Sequence, residues 1–87
     1  MKIVRRFPIA PVTRIDLPVE HRIVLVGYQP ARSEFCMWVE LDPQAPKTKT
    51  RTFELVGTGH PIADEAIHIG SAIMDDGFHV FHIYETP

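Results

Sequence analysis

Proline and glycine constrain this chain more than any other feature, because they recur every few positions along its length. The 87 residues include eight prolines and five glycines. No stretch of about ten residues free of them shows the i, i+3, i+4, i+7 apolar spacing of an amphipathic helix. The apolar residues are mostly β-branched, with 8 Val and 9 Ile against 4 Leu, and such side chains fit a pleated sheet. We therefore predict an all-β fold, a small antiparallel sandwich or barrel of about six to seven strands with a C-terminal hairpin.

Runs of alternating apolar and polar residues between the turn residues predict the strands. One hairpin is expected around residues 30–33, and a second at Asp76-Gly77, since an Asp-Gly pair between apolar runs favours a two-residue turn. In the second hairpin we expect Ile73 to lie opposite Val80 and Ser71 opposite His82. The predicted strands cover residues 2–9, 12–17, 22–29, 34–41, 48–56, 67–74 and 78–85.

The alternation also predicts which side chains share a face. In residues 22–29, Ile23 and Leu25 should point to one side and Val24 and Val26 to the other. In residues 34–41 one face should be buried, formed by Phe35, Met37, Val39 and Leu41.

Charge and cysteine content exclude several classes of protein. The net charge is −2 and the isoelectric point is about 6.2, which argues against a nucleic-acid partner. Cys36 is the only cysteine, so an intrachain disulfide and a cysteine-based zinc site are excluded.

The apolar run after the basic start is broken by Pro8 and Pro11, and it is too short for a signal peptide or a membrane span. We expect one domain over residues 1–87, located in a reducing cytoplasm and without a membrane partner.

The C-terminal hairpin is apolar on both faces. In its last strand Val80 and Tyr84 share one side with His82, whereas Phe81 and Ile83 share the other with His79. A short chain has little material to cover both faces, and a second copy of the chain would supply it. We therefore predict a homodimer.

The five histidines do not predict a metal site. His79 and His82 are three residues apart, and on a strand this spacing points them to opposite faces. His68 is expected to share a face with His79 but to lie near the other end of the hairpin. We interpret these three as half-buried side chains with hydrogen-bonded ring nitrogens, and we predict no metal and no cofactor.

The loop that begins at Gly57 is the best candidate for a ligand site. Glycine loops can direct successive backbone N–H groups at an anion, and His60 follows two glycines and precedes a proline. Lys49 and Arg51 could add positive charge from the adjoining strand. The candidate ligand-binding residues are Lys49, Arg51, Gly57, Thr58, Gly59 and His60.

Each of these features has a plainer interpretation. The loop could be only a demanding turn, and the basic row, which starts at Lys47, could be a solvated strand edge that prevents aggregation. His60 could serve as a general base if Asp64 or Glu65 oriented it. Cys36 would need a nearby histidine to act as a nucleophile. Because no Gly-x-Ser-x-Gly motif is present, we predict a protein that is not an enzyme.

Several segments together resemble an uncharacterised family of small phage and bacterial proteins. They are Met37–Pro46, Arg51–Phe53, Val56–Ile62, Ile69–Gly70 and Phe78–His82. The most specific part is the block Gly57-Thr58-Gly59-His60-Pro61. The resemblance implies a phage or prophage setting but carries no assigned activity, so it supplies no catalytic residues. Small phage proteins of this kind often bind a host component, including CRISPR effectors and other defence systems.

Three hypotheses follow. The first is a non-catalytic protein that docks through a strand edge or apolar patch on a bacterial host protein or defence complex and inhibits or modulates it. The second is a small-ligand binder, such as a sponge for a nucleotide signal, that uses the loop from Gly57 to His60. The third is a small enzyme with His60 as its base.

Overall fold

The structure is a computed structural model that describes all 87 residues, and it confirms the all-β prediction. A 3-10 turn at Pro30–Arg32 is the only helical segment, and no helix has the length and hydropathy that a membrane crossing requires. The seven strands are β1 (Ile3–Ile9), β2 (Val12–Leu17), β3 (His21–Gln29), β4 (Glu34–Leu41), β5 (Lys49–Gly57), β6 (Ile67–Ile73) and β7 (Val80–Thr86).

The strands form two antiparallel sheets packed as a sandwich. One sheet has the order β1-β4-β3 and the other β2-β5-β7-β6. Strands β3 and β6 come close on one side of the sandwich but do not pair, so the sheets do not close into a barrel. Of the two alternatives left open by the sequence, the sandwich is therefore the fold.

A single core lies between the sheets. Its fully buried side chains include Leu17, Met37, Val39 and Phe53, and they come from both sheets. All four side chains predicted for the inner face of β4 are buried. Both sheets contribute side chains to one contiguous apolar core. The two layers therefore stabilise each other through apolar burial.

Strand β3 departs from the predicted alternation. Its pairing with β4 shifts between Ile23 and Leu25, so Val24 is the extra residue of a β-bulge. One extra residue reverses the side-chain phase beyond it. As a result Ile23 and Val26 both pack against the core, whereas Leu25 is 56% exposed. The predictions that Leu25 shares a face with Ile23 and that Val26 shares one with Val24 were therefore wrong.

The C-terminal hairpin has the predicted register but a longer turn. Ile73 pairs with Val80 and Ser71 with His82. The N–H of Gly77 donates to the carbonyl of Met74 at 2.9 Å, and Gly77 has φ +74°. The connection is therefore a turn closed by a left-handed glycine rather than the predicted two-residue turn. A second bulge lies in β6 between His68 and Gly70, where Ile69 is the extra residue relative to β7.

Candidate functional site

The predicted loop forms one wall of a pocket of about 520 Å³, which we call the loop pocket. This volume lies in the range of small-molecule sites. The opposite wall comes from the turn before β7 and from β7 itself. The lining residues include Leu55, Thr58, His60, Phe78, His79 and Phe81.

Two glycines are needed for the shape of this loop. The N–H of His60 donates to the carbonyl of Gly57 at 3.1 Å, and Gly59 between them has φ +89°. That conformation favours glycine because a Cβ would be strained there. At Gly57 a Cβ would lie 3.3 Å from Cδ2 of the His60 ring. The glycines thus let the chain turn and let the imidazole lie against the backbone.

Asp76 organises the opposite wall. Its Oδ1 accepts the backbone N–H groups of Phe78 and His79 at 2.8 and 3.1 Å, and its Oδ2 accepts Nδ1 of the His79 ring at 2.6 Å. The hydrogen bond from the His79 ring is the main reason that the pKa of Asp76 is lowered to about 2. Because Nδ1 is engaged by the carboxylate, Nε2 is the His79 nitrogen left for another partner. Phe78, next to it, is 87% exposed.

A chain of side-chain hydrogen bonds crosses the outer face of the β2-β5-β7-β6 sheet. Thr58 Oγ1 donates to the carbonyl of Val80 at 3.1 Å and therefore accepts from His82 Nε2 at 2.9 Å. The other ring nitrogen of His82, Nδ1, then accepts from Ser71 Oγ at 2.6 Å. Ser71 in turn accepts from His68 Nε2 at 2.9 Å. These donors and acceptors assign a proton to Nε2 of both histidines.

The ring nitrogens of His68, His79 and His82 are hydrogen-bonded as the sequence interpretation expected. The expected half-burial was wrong for His68 and His79, which are exposed, and only His82 is half-buried. The linkage of His68 and His82 into one chain was not predicted. Predicting it requires the strand order β5-β7-β6, which brings Thr58, His82 and Ser71 side by side. His79 lies in the turn before β7 rather than on the strand, and it shares no hydrogen-bond partner with His82. No group of three or more His, Cys, Asp or Glu side chains is arranged to hold a metal ion.

The structure does not bring Arg51 and Lys49 to the loop. Both lie at the start of β5, whereas Gly57 ends it. At about 3.3 Å per residue, Arg51 and Gly57 are roughly 20 Å apart along the strand. Lys49 is exposed there. The six candidate ligand-binding residues are thus divided between the two ends of β5.

Arg51 is engaged within the protein. Its Nε and Nη2 donate to the two carboxylate oxygens of Glu85 at 2.8 and 2.6 Å, and its Nη1 donates to His21 Nε2 at 2.8 Å. The guanidinium also lies 5.1 Å from the centroid of the Phe53 ring. The hydrogen bonds between Arg51 and Glu85 raise the pKa of Arg51 and lower the pKa of Glu85. Because β3 belongs to one sheet and β5 and β7 to the other, Arg51 connects the two sheets.

The two residues considered for nucleophilic or base chemistry have no matching partners. His60 forms no hydrogen bond with Asp64 or Glu65, and its backbone N–H bonds only within its own turn. Cys36 is fully buried beneath Arg6, whose Nη1 lies 3.3 Å from its Sγ. The hydrogen-bond partners of the thiol are Arg6, Gln29 and Glu34, and none is a histidine.

A second feature lies where the two sheets meet at β3 and β6. An apolar groove of about 310 Å³ runs between these strands, and we call it the β3–β6 groove. The extra residues of the two bulges, Val24 and Ile69, both line this groove. Its exposed apolar side chains include Val24, 42% exposed, and Leu25, 56% exposed. The lining residues include Ile23, Val24, Leu25, Val26, Ile69 and Gly70. The sequence did not predict the groove, because the bulges that orient these side chains arise from strand pairing.

Comparison with known proteins places the chain in a family. It matches, over residues 1–87, the family described as a domain of unknown function (DUF7352), and it belongs to that family. The expectation of an uncharacterised family is thus confirmed. No curated protein and no solved structure matches the chain.

Proposed function

We propose that this DUF7352 protein is a non-catalytic binding protein that docks on a protein complex of a bacterial host through the β3–β6 groove. The observation that carries the proposal is the pairing of the two groove strands. β3 pairs only with β4, and β6 pairs only with β7. Each therefore has one side whose backbone N–H and C=O groups lack a strand partner.

Free strand edges favour an extended segment as the occupant. Such a segment adds to the sheet through main-chain hydrogen bonds, while its alternate side chains enter apolar pockets beside the edge. The groove supplies apolar contacts at Val24 and Leu25, and β6 adds Ile67 and Ile73, each more than 60% exposed. Main-chain pairing would supply affinity and the apolar contacts specificity.

The bulges at Val24 and Ile69 support a specific partner rather than indiscriminate pairing. A bulge interrupts the regular ladder and increases the local twist, and proteins use it to prevent edge-to-edge aggregation. The incoming segment must therefore follow an interrupted edge. We propose that this shape selects one partner among the many extended segments in a cell.

The biological setting of the proposal comes from the sequence resemblance. It implies a phage or prophage protein acting in the host cytoplasm, where docking would inhibit or modulate a host complex. A defence complex, such as a CRISPR effector, is the partner class that we propose. The same groove could instead join two copies of this chain, which is the predicted homodimer.

A matched pair of valine substitutions tests the proposal. Val24→Asp puts a carboxylate in the groove, whereas Val12→Asp puts one on β2, an edge strand of the other sheet, where Val12 is 62% exposed. Tagged variants are expressed in bacteria, and each co-purifying protein is identified, purified and measured for direct binding. We expect Val24→Asp to weaken binding to one defence-complex protein by at least about tenfold and Val12→Asp by less than about twofold.

Two results would overturn the proposal. In the first, the purified partner binds both variants equally, which would exclude the groove. In the second, native mass spectrometry shows that the only complex lost on the Val24→Asp substitution is a dimer of this chain. The groove would then be a homodimer interface.

A further inference from the structure

We propose that the loop pocket binds a nucleotide that carries a single phosphate group, with Phe78 contacting the base and His79 the phosphate. This goes beyond the docking function, since the pocket and the β3–β6 groove share no lining residue. The proposal rests on three features of the pocket: its aromatic walls, its oriented imidazole and the absence of a lining lysine or arginine.

The aromatic walls fit a planar ring. Leu55 and Phe81 form part of the pocket, and the Phe81 ring is held by packing on Phe35, with centroids 4.9 Å apart. Phe78, on the turn, is 87% exposed although it is a large apolar side chain. A nucleobase stacked on Phe78 would cover this ring, and every base has a face that can stack in this way.

His79 is the polar group best prepared to meet a phosphate. Asp76 fixes its ring through Nδ1, at 2.6 Å, and through the adjoining backbone N–H groups. In the complex both ring nitrogens carry protons, so that Nδ1–H donates to Asp76 and Nε2–H donates to a phosphate oxygen. A carboxylate behind an imidazole orients the ring and supports its positive charge.

The remaining polar side chains limit the ligand to one phosphate. The Thr58 hydroxyl donates to Val80 and accepts from His82, so its proton is already engaged. His60 is the second imidazole in the pocket, and no lysine or arginine lines it. Triphosphates usually require fixed cations or a metal ion. Two imidazoles match the smaller charge of a monophosphate.

Calorimetry on the purified chain tests this assignment. The probes are AMP, GMP, CMP and UMP, with adenosine as the phosphate-free control and ATP as the polyphosphate control. We expect at least one monophosphate to bind saturably. Adenosine should bind at least about tenfold more weakly than AMP, and ATP should bind no more tightly than AMP.

Two substitutions locate the site. Phe78→Ala and His79→Gln should each weaken the best monophosphate by at least about tenfold. The control His68→Gln changes an exposed histidine outside the pocket and should leave binding within about twofold. Both changed residues are exposed, and circular dichroism is measured for each variant as the check that it folds. The docking variant Val24→Asp should bind the nucleotide normally, so failure of one proposal leaves the other intact.

The assignment is overturned if none of the four monophosphates binds saturably. It is also overturned if adenosine binds as tightly as AMP, because the phosphate then has no partner. Equal binding by wild type, Phe78→Ala and His79→Gln would exclude the pocket as the site.

Discussion

Gly70 of β6 lies so close to Val26 of β3 that a Cβ at position 70 would fall 2.8 Å from Cγ2 of Val26. This contact joins the edges of the two sheets where no backbone pairing joins them. Because Val26 also packs against the core, the spacing of the groove is set by a residue that cannot easily move. The absence of a side chain at position 70 is what allows the two edges to approach.

Gly70→Ala should therefore destabilise the fold by about 1–3 kcal/mol, since the added methyl group overlaps a packed side chain. The midpoint temperature of thermal unfolding should fall by several degrees. Gly27→Ala is the matched control. Its Cβ would meet Trp38 at 3.6 Å, an ordinary contact, so its effect should stay within about 0.5 kcal/mol.

A double variant checks the cause of that loss. Val26→Ala removes the atoms that collide with the new methyl group, so the two changes should couple favourably by about 0.5–3 kcal/mol. If the two losses simply add, the contact between residues 26 and 70 is not the source of the instability.

Glu85→Gln should lower the free energy of unfolding at neutral pH. It should also make that free energy depend less on pH in the acidic range. The bidentate contact with Arg51 lowers the pKa of Glu85 below its ordinary value of 4.5. As the pH falls, the unfolded chain therefore takes up this proton before the folded chain does. The stabilisation is complete above about pH 5 and is lost as the pH falls through the folded-state pKa.

Urea unfolding at a series of pH values measures this effect. We expect Glu85→Gln to cost about 1–2 kcal/mol at pH 7. The difference from wild type should shrink as the pH falls below the ordinary carboxyl pKa of 4.5 and through the lower folded-state pKa. Glu65→Gln, at an exposed carboxylate outside the ion pairs, serves as the control. A constant difference across the whole pH range would contradict the role given to the Glu85 carboxylate.

The Asp76 carboxyl should titrate at about pH 2 in the folded protein, since its pKa is lowered to about 2 from an ordinary 3.8. Carbon-13 NMR of the aspartate carboxyl groups measures the midpoint directly. His79→Gln removes the largest cause of the shift and should raise the midpoint towards 3.8, whereas His68→Gln should leave it unchanged. An Asp76 midpoint that His79→Gln does not move would show that the ring is not bonded to it.

The sequence predicted the parts of this fold that local patterning controls. The strand positions and the pairing of Ile73 with Val80 follow from alternation and from the glycine at position 77. The bulge at Val24 could not be predicted, because the extra residue exists only relative to β4. Likewise, the partner of Arg51 depends on β7 lying next to β5, which no spacing within β5 reveals. The loop from Gly57 was recognised, but its aromatic wall comes from a turn about 20 residues later.

The neutral His82 ring should carry its proton on Nε2. Its Nδ1 accepts a hydrogen bond from Ser71, and its Nε2–H donates one to Thr58. Nitrogen-15 NMR distinguishes the two tautomers. Thr58→Val removes the acceptor and should weaken this preference in His82 while leaving His68 unchanged, with a stability loss below about 1 kcal/mol at this exposed site. A neutral His82 with its proton on Nδ1 would contradict the assigned chain of hydrogen bonds.

Hydrogen exchange of the backbone amides, with and without the purified partner, tests the docking account most directly. An added strand at the β3–β6 groove should slow exchange along β3 or β6, because free edge N–H groups become hydrogen-bonded. Amides of β1 and β2, the outer strands on the other side of the sandwich, should exchange at unchanged rates. Slowed exchange at β1 or β2 with no change at β3 and β6 would contradict the account.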